Sequence, residues 1–419
     1  MKIYDSAVYD GSGTRELSNV LTDVAESTKT LELKARDLKI MTLTNYSRPM
    51  KTYVFQCFFI HWDKKRERFA PTFMNEAVTV DELKAIGADD TILEELRRDS
   101  LTMIDVAGVR FFMNLNFLKT YMQRGGSNSG DYANSADVYC RITRDYGVMA
   151  FLAVTPDLKM TLLYREDASS HAKKAFALFS ETGTYVPQVN FWNSIAREFQ
   201  KNFGKMRVAN YRVTQEKTFV HAEFPEEGKA CRPSFPEIPD ACEPGIAFRT
   251  SDIGVSSLTV NGVMRIGNGA FFVIPKAEVT RSHKGYVEIK SVVDDCRKQI
   301  LHTDDPGKNP YTAMMERIAQ LTGMHIPSGK VQDILKKVLK SSGLLKTLGS
   351  KRSARMVTEI LSVFGDSFPE GGITAYSVAK AFLDLSGKYQ GEFRDADTVE
   401  RLRREFAGVI TFSYEKELK

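Results

Sequence analysis

The hydrophobic residues of this chain change their spacing along its length. From residue 51 onwards they form short runs. The run at 51–62, KTYVFQCFFIHW, is rich in aromatic and β-branched residues, which predicts a buried strand. The clearest strand signals lie in the stretch 245–290, where short β-rich runs are separated by turns that contain glycine. We expect the rest of the chain to be arranged around this stretch.

Helical spacing of apolar residues marks several other segments. In the first half of the chain the predicted helices are 16–27, 80–98 with Thr79 or Asp81 as the N-cap residue, 171–182, and a segment that stops near Gly204. After Lys290 the helical pattern dominates. One helix is closed by Gly323, and the next has an apolar face made of Val331, Ile334, Leu335, Val338 and Leu339. LGSKRSAR at 348–355 is typical of a loop, and amphipathic helices follow it.

These patterns together predict an α+β protein with an antiparallel sheet core in the middle of the chain and a helical C-terminal third. We expect an N-terminal arm at 1–45, an α+β core domain at 46–300 and a helical region at 301–419. No internal repeat is visible.

Composition narrows the class of protein. With 42% hydrophobic and 26% charged residues among 419, the chain lies in the ordinary globular range. No apolar run approaches the roughly 20 residues that a bilayer span requires, so we expect no membrane association. The first residues lack the apolar core of a secretory signal. Five cysteines at wide, irregular spacing favour reduced thiols, and hence a cytoplasmic location.

Enzyme motifs are missing from the sequence. There is no P-loop, dinucleotide fingerprint, HExxH or GxSxG, and the glycines of IGNGAFF at 266–272 predict a tight turn between strands. A metal-dependent nuclease built on His283 would need nearby carboxylates. Glu278 and Glu288 are the only local ones. Asp294, Asp295, Asp304 and Asp305 are candidate ligands for a divalent ion, but helix starts and turns are the commoner use for such carboxylates. We therefore predict no catalytic residue, no metal site and no cofactor.

The positive charge is concentrated in a few places, although the net charge is only +5. Lys64, Lys65, Arg66 and Arg68 form a basic cluster that we interpret as a solvated hairpin tip. Two other regions supply the candidate nucleic-acid-binding residues. These are Arg265, Arg281, His283, Lys284 and Lys290 in and after the strand-rich stretch, and Lys336, Lys337, Lys340, Lys351, Arg352 and Arg355 in the helical region. Lysine and arginine contacts to phosphates give affinity that depends on salt and does not read sequence.

Aromatic residues interleave with this charge at Phe271, Phe272 and Tyr286. Exposed rings of this kind stack on the bases of a single strand. The apolar run around Phe271 and Phe272 favours core positions for both, and a lysine-rich helix face is often simply solvated.

Residues 254–286 resemble an uncharacterised family carried by phages and plasmids, known as domain of unknown function 932. The shared features are the strand VSSLTV, the G-x-x-R strand from Gly262 to Arg265, the Asn268-Gly269 turn and the R-x-H-K-G turn from Arg281 to Gly285. RITRDYGVMAFLAV upstream and GGITAYSVAKAFLDL downstream are similar to further parts of the family. This chain has Gly267 where many members have a cysteine. The resemblance implies a phage or mobile-element origin and a role near DNA metabolism.

The leading hypothesis is a phage- or plasmid-encoded protein that binds or anneals single-stranded DNA during replication or recombination, in the host cytoplasm and as a possible homo-oligomer. A second hypothesis is a non-enzymatic structural or interaction protein whose basic face meets an acidic partner. The third is the metal-dependent nuclease.

Overall fold

The computed structural model describes residues 8–47, 52–98, 101–113, 154–166, 171–180, 185, 187–214, 217–225, 235–251, 257–282, 288–365, 373–393 and 396–418. The strands in chain order are β1 Val8–Gly11, β2 Thr28–Lys34, β3 Leu38–Ser47, β4 Thr52–Asp63, β5 Arg68–Thr79, β6 Leu101–Val106, β7 Val109–Met113, β8 Lys159–Glu166, β9 Lys173–Ser180, β10 Arg207–Thr214, β11 Thr218–Glu223, β12 Cys242–Thr250, β13 Leu258–Ile266, β14 Phe272–Arg281, β15 His325–Ile326 and β16 Ile373–Thr374.

The helices in chain order are α1 Thr14–Ser27, α2 Val80–Ala85, α3 Asp90–Arg98, α4 Gln188–Phe203, α5 Ile289–Cys296, α6 Pro310–Thr322, α7 Val331–Ser342, α8 Leu344–Phe364, α9 Ala375–Gly391, α10 Ala396–Ile410 and α11 Tyr414–Leu418. A π-helical turn, Arg297–Leu301, continues α5. None of the described helices combines the length and the apolar composition needed to cross a bilayer.

The first large sheet has eight strands in the order β2-β8-β9-β7-β6-β3-β4-β5. Its neighbours are antiparallel except β7 and β9, which run parallel. The predicted aromatic strand is β4, and it forms a long hairpin with β5 that runs from the pair Thr52–Thr79 to the pair Asp63–Arg68. Residues 64–67 make the turn, so the basic cluster lies at a hairpin tip as predicted.

The second large sheet has six strands in the order β1-β10-β11-β12-β13-β14, all antiparallel. The stretch 245–290 supplies most of β12, all of β13 and β14, and the beginning of α5. Strand β1 pairs with β10, and α1 packs on α4, so residues from the predicted N-terminal arm join this sheet. The domain boundaries at 45 and 300 stay a prediction.

One apolar cluster joins the inner face of the six-stranded sheet to the helices, from Leu17 in α1 to Tyr414 in α11. The five residues predicted as the apolar face of α7 are all buried in it, which confirms that prediction. Helices α4 and α6 stop at Gly204 and Gly323, as predicted. The α+β class, with antiparallel sheets first and helices after 289, is confirmed.

Three predicted elements were wrong in type or extent. Residues 171–182 were predicted as a helix, but they contain strand β9, whose Ala175–Leu178 are buried on both faces. A short apolar run buried on both sides has no strand period, so its spacing does not separate it from a helix. The predicted loop at 348–355 lies within α8, with a break at Gly349 (φ 77°).

The predicted helix at 80–98 is two helices, α2 and α3. Thr79 is the N-cap of α2, and its hydroxyl accepts a hydrogen bond from the Glu82 N–H at 3.2 Å. The chain then turns at Gly87, where φ is 95° and a Cβ would collide with Ala172. Only glycine fits that combination without strain, and it ends the helical run.

Candidate nucleic-acid interface

Arg265 lies on β13, on the polar face of the six-stranded sheet. Its guanidinium is 2.9 Å from a carboxylate oxygen of the fully buried Glu223 and forms a second ion pair with Glu243. It also lies over the ring of Phe271, 5.2 Å from the centroid. Two carboxylates therefore offset the charge of this arginine, and its side chain is only 26% exposed.

The tip of the strand-rich stretch is described only in part. Arg281, the last residue of β14, forms an ion pair with Asp295 on α5. Lys290 is exposed in the first turn of α5. His283, Lys284 and Tyr286 lie outside the described residues, so the turn that the sequence predicts as a phosphate contact stays a prediction.

Helix α7 presents three of the predicted lysines to solvent. Lys336 and Lys340 are exposed one turn apart, and neither forms an ion pair with another described residue. Lys337 contacts Glu417 at 2.7 Å and Asp333 at 2.9 Å. These hydrogen bonds, that of Glu417 first, raise the pKa of Lys337 above its usual range. Lys336 and Lys340 therefore carry the available charge of this helix.

Helix α8 follows α7 after a single glycine and packs against it. Lys351 is exposed on α8 and has no ion pair within the described residues. Arg352 and Arg355 share one carboxylate, that of Glu392 at the end of α9; the Arg352 Nε–Glu392 Oε2 distance is 2.9 Å. Hydrogen bonds from Arg352 and charge from Arg355 hold the pKa of Glu392 below its usual range.

Aromatic rings support these two arginines. The Arg352 guanidinium lies 5.0 Å from the ring centroid of Phe393, and that of Arg355 lies 5.0 Å from Tyr389. A cation held over a ring keeps its charge, but its side chain is already restricted. It therefore loses less entropy on binding an anion than a freely rotating side chain would. We call Lys336, Lys340, Lys351, Arg352 and Arg355 the helical basic face.

The aromatic residues of the strand-rich stretch have a different role. Phe272 is fully buried, and Phe271 is 7% exposed and lies between Arg265 and His221. Both are packing residues, as the apolar run favoured, and neither offers an open ring to a base.

A buried polar network on the same sheet was missed by sequence reasoning. His221 on β11 lies between Asn210, at 3.0 Å from its Nδ1, and Arg403 of α10, which contacts its Nε2. Because arginine only donates, Nε2 accepts, and the ring proton lies on Nδ1. Burial, and then the charge of Arg403, hold the pKa of His221 well below its usual range. In a strand, residues two apart lie on the same face, so the sequence FVHAE at 219–223 already indicated that His221 and Glu223 share one face of the sheet.

Helix α10 carries two further contacts of this network. Glu400 accepts a hydrogen bond from the Asn261 side chain at 2.9 Å, and Arg404 pairs with Glu278 at 2.5 Å. Arg403 also donates to Gln390 at 3.3 Å. The network thereby fastens α10 to β11, β13 and β14.

Three of the aspartates considered for a metal site are engaged in ion pairs. Asp294 pairs with Arg297 at 2.8 Å, Asp295 with Arg281, and Asp305 with Lys308 at 2.8 Å. Across the part of the chain that the structure describes, no group of three or more His, Cys, Asp or Glu residues could hold a metal ion.

Comparisons with family models, with curated proteins and with solved structures find no match to this chain. The resemblance to the phage and plasmid family stays a prediction.

Proposed function

We propose that this protein binds nucleic acid, with single-stranded DNA as its main ligand, and that the helical basic face holds the phosphates. The observation that carries the proposal is the exposed trio Lys336, Lys340 and Lys351, none of which has an ion pair among the described residues. Each such lysine gains a phosphate partner without first breaking an internal contact.

Arg352 and Arg355 strengthen this assignment. Their shared contact with Glu392 and their aromatic supports keep both guanidinium groups on the α8 surface, beside Lys351. The face therefore combines exposed lysines that have no ion pair among the described residues with arginines held by a carboxylate and a ring. The fork of an arginine matches phosphate oxygens, whereas lysine acts as a compact charge.

The role proposed for the whole protein follows the sequence resemblance: a phage- or plasmid-encoded factor that coats or anneals single strands in replication or recombination. Several copies on one strand would multiply weak phosphate contacts into tight binding. The protein would act without a cofactor and without cleaving its ligand.

The test is fluorescence anisotropy of labelled single- and double-stranded oligonucleotides across a salt series. We expect salt-dependent binding that weakens at least tenfold in Lys336→Glu/Lys340→Glu/Lys351→Glu, with the slope against log salt reduced by about 2. The control is Lys84→Glu/Lys205→Glu/Lys298→Glu, which has the same charge change at other exposed lysines and should bind much more tightly than the first variant.

Two outcomes would overturn the proposal. The first is no binding by the unmodified chain even at low salt. The second is equal weakening in both variants, which would mean that net charge alone matters. Polyglutamate as competitor tests the acidic-partner hypothesis, because a face built for an acidic protein would prefer it to the oligonucleotide. Oligonucleotides recovered after incubation with Mg²⁺ or Mn²⁺ should keep their length, and shortened products would support the nuclease instead.

A further inference from the structure

The tip of the β4–β5 hairpin, residues 61–69, is a second cationic surface with an ordered turn. The Asp63 carboxylate accepts hydrogen bonds from the backbone N–H of Lys65 at 3.0 Å and of Arg66 at 3.3 Å. Pairing between the strands continues to Asp63 and Arg68. These contacts hold the turn in one conformation, and one of the two acids of the tip is used inside it.

Trp62 emerges from this tip with 49% of its surface exposed. Its cross-strand neighbour is Phe69, and the two rings meet edge to face with centroids 5.0 Å apart. Phe69 in turn packs against the core of the eight-stranded sheet, with the Arg36 guanidinium 5.6 Å from its centroid. The indole is therefore supported from one side and open to solvent on the rest.

The charges around the ring are mostly unpaired. Residues 63–68 are DKKRER, which carry four cations and two carboxylates. Lys64 and Lys65 are exposed and form no ion pair with another described residue, and Arg66 contacts Asp63 only at 3.8 Å. An open aromatic ring thus lies next to free positive charge on a fixed turn.

We propose that Trp62 is a stacking platform for an unpaired base of a single-stranded nucleic acid, and that Lys64 and Lys65 contact the flanking phosphates. The inference rests on the proposed function and gives a reason why the protein would prefer single-stranded to double-stranded nucleic acid. A base in a duplex is already stacked on both faces, whereas a base in a single strand has a free face for the indole. A solvated turn would explain the lysines but not a supported, half-open tryptophan beside them.

The same chemistry disfavours a lipid surface as the occupant. Insertion of Trp62 into a bilayer would bring the six consecutive charged residues that follow it towards the hydrocarbon, which is costly. A membrane-binding hairpin presents several apolar residues at its turn, and here residues 63–68, which include the whole turn, are all charged. Base stacking uses the ring while all of these charges stay in water.

The chain contains its own probe for this contact, because its two tryptophans differ in exposure. Trp192 is 1% exposed and packs against Phe248, with ring centroids 5.7 Å apart. Oligo(dT) should quench the exposed component of the tryptophan emission, which comes from Trp62. In Trp62→Phe the remaining emission of Trp192 should not respond to oligo(dT), and this variant also reports any inner-filter effect.

Affinity is measured by anisotropy in Trp62→Ala. We expect about a five- to hundredfold loss for the single strand and little change for the duplex. Met74→Ala is the matched control, because Met74 is 51% exposed on the opposite face of the same hairpin. It should leave both affinities unchanged, and far-UV circular dichroism checks that each variant is folded.

The outcomes separate this inference from the proposed function. Salt-dependent binding with no quenching of Trp62, and with equal affinity in Trp62→Ala, overturns the stacking platform and leaves the helical basic face standing. No binding in either assay at low salt overturns both. Quenching by anionic phospholipid vesicles or polyglutamate, but not by oligo(dT), would assign the tip to a membrane or an acidic protein and overturn the inference.

Discussion

The polar face of the six-stranded sheet and the helical basic face use the same residue types in opposite ways. At the sheet, Arg265 of β13 and Arg403 of the adjoining helix α10 are largely buried, and each contacts a carboxylate, an aromatic or a histidine that fixes it inside the fold. On the helices, Lys336 and Lys351 extend into solvent with no described partner. Positive charge binds a new anion most readily where the fold leaves it without a carboxylate.

The buried network also explains how α10 is held. Removing two charges from water costs several kcal/mol, and the cost is recovered only if the remaining polar atoms are satisfied. Arg403 meets this condition through His221, Gln390 and Glu400, which come from β11, α9 and its own helix. The network therefore positions elements relative to one another, and loss of Arg403 removes one contact from each of its buried or half-buried partners.

The largest effect that would sharpen this comparison comes from Arg403→Ala. It removes the donor to His221 Nε2 and one of the two arginines that pair with Glu400, so the free energy of unfolding should fall by about 3 kcal/mol. Arg401→Ala on the same helix is the control, since Arg401 is exposed and should change the value by less than about 0.5 kcal/mol. Urea denaturation measures both. Equal effects of the two substitutions would contradict a structural role for the network.

A second effect concerns pH. His221 is held neutral because its pKa in the folded chain lies well below the ordinary 6.5. The unfolded chain takes up this proton near its ordinary pKa, so the stability that His221 contributes is present above about pH 6.5 and is lost as the pH falls through the folded-state pKa. The slope is at most about 1.4 kcal/mol per pH unit for one proton.

His221→Gln removes this proton while keeping an amide that can contact Asn210 and Arg403. Urea unfolding between about pH 7.5 and 5.5 should show a shallower pH dependence in this variant than in the unmodified chain. His325→Gln changes an exposed histidine and should keep the original dependence. An unchanged slope in His221→Gln would mean that carboxylates alone set the acid response.

The smallest expected effect concerns the helical basic face. Glu392→Gln removes the carboxylate that offsets Arg352 and Arg355, so affinity for a single-stranded oligonucleotide should rise about two- to threefold at low salt. Glu316→Gln has the same charge change at an exposed position on α6. Anisotropy should separate the two variants. If both raise affinity equally, the effect is one of net charge, and Glu392 does not regulate the face.

Much of the secondary structure could be predicted from local pattern. The apolar face of α7 and the Thr79 cap depend on residues a few positions apart, and the tight turn before β14 depends on two glycines separated by one residue. Strand β9 could not be predicted in this way, because burial on both faces removes the period that distinguishes a strand from a helix.

The sequence was enough to predict which residues form the candidate site, but not which of their charges are free to bind a ligand. The sequence by itself determined where the cations are and that aromatic residues lie among those of the strand-rich stretch, but it predicted a loop at 348–355, where the cations lie on α8. Only the tertiary structure decided which charges are already used, because their partners are remote: Glu392 is 40 residues from Arg352, and His221 is 182 residues from Arg403. Ion pairing depends on distance in space, which the folding of the sheets and helices sets and local sequence does not encode.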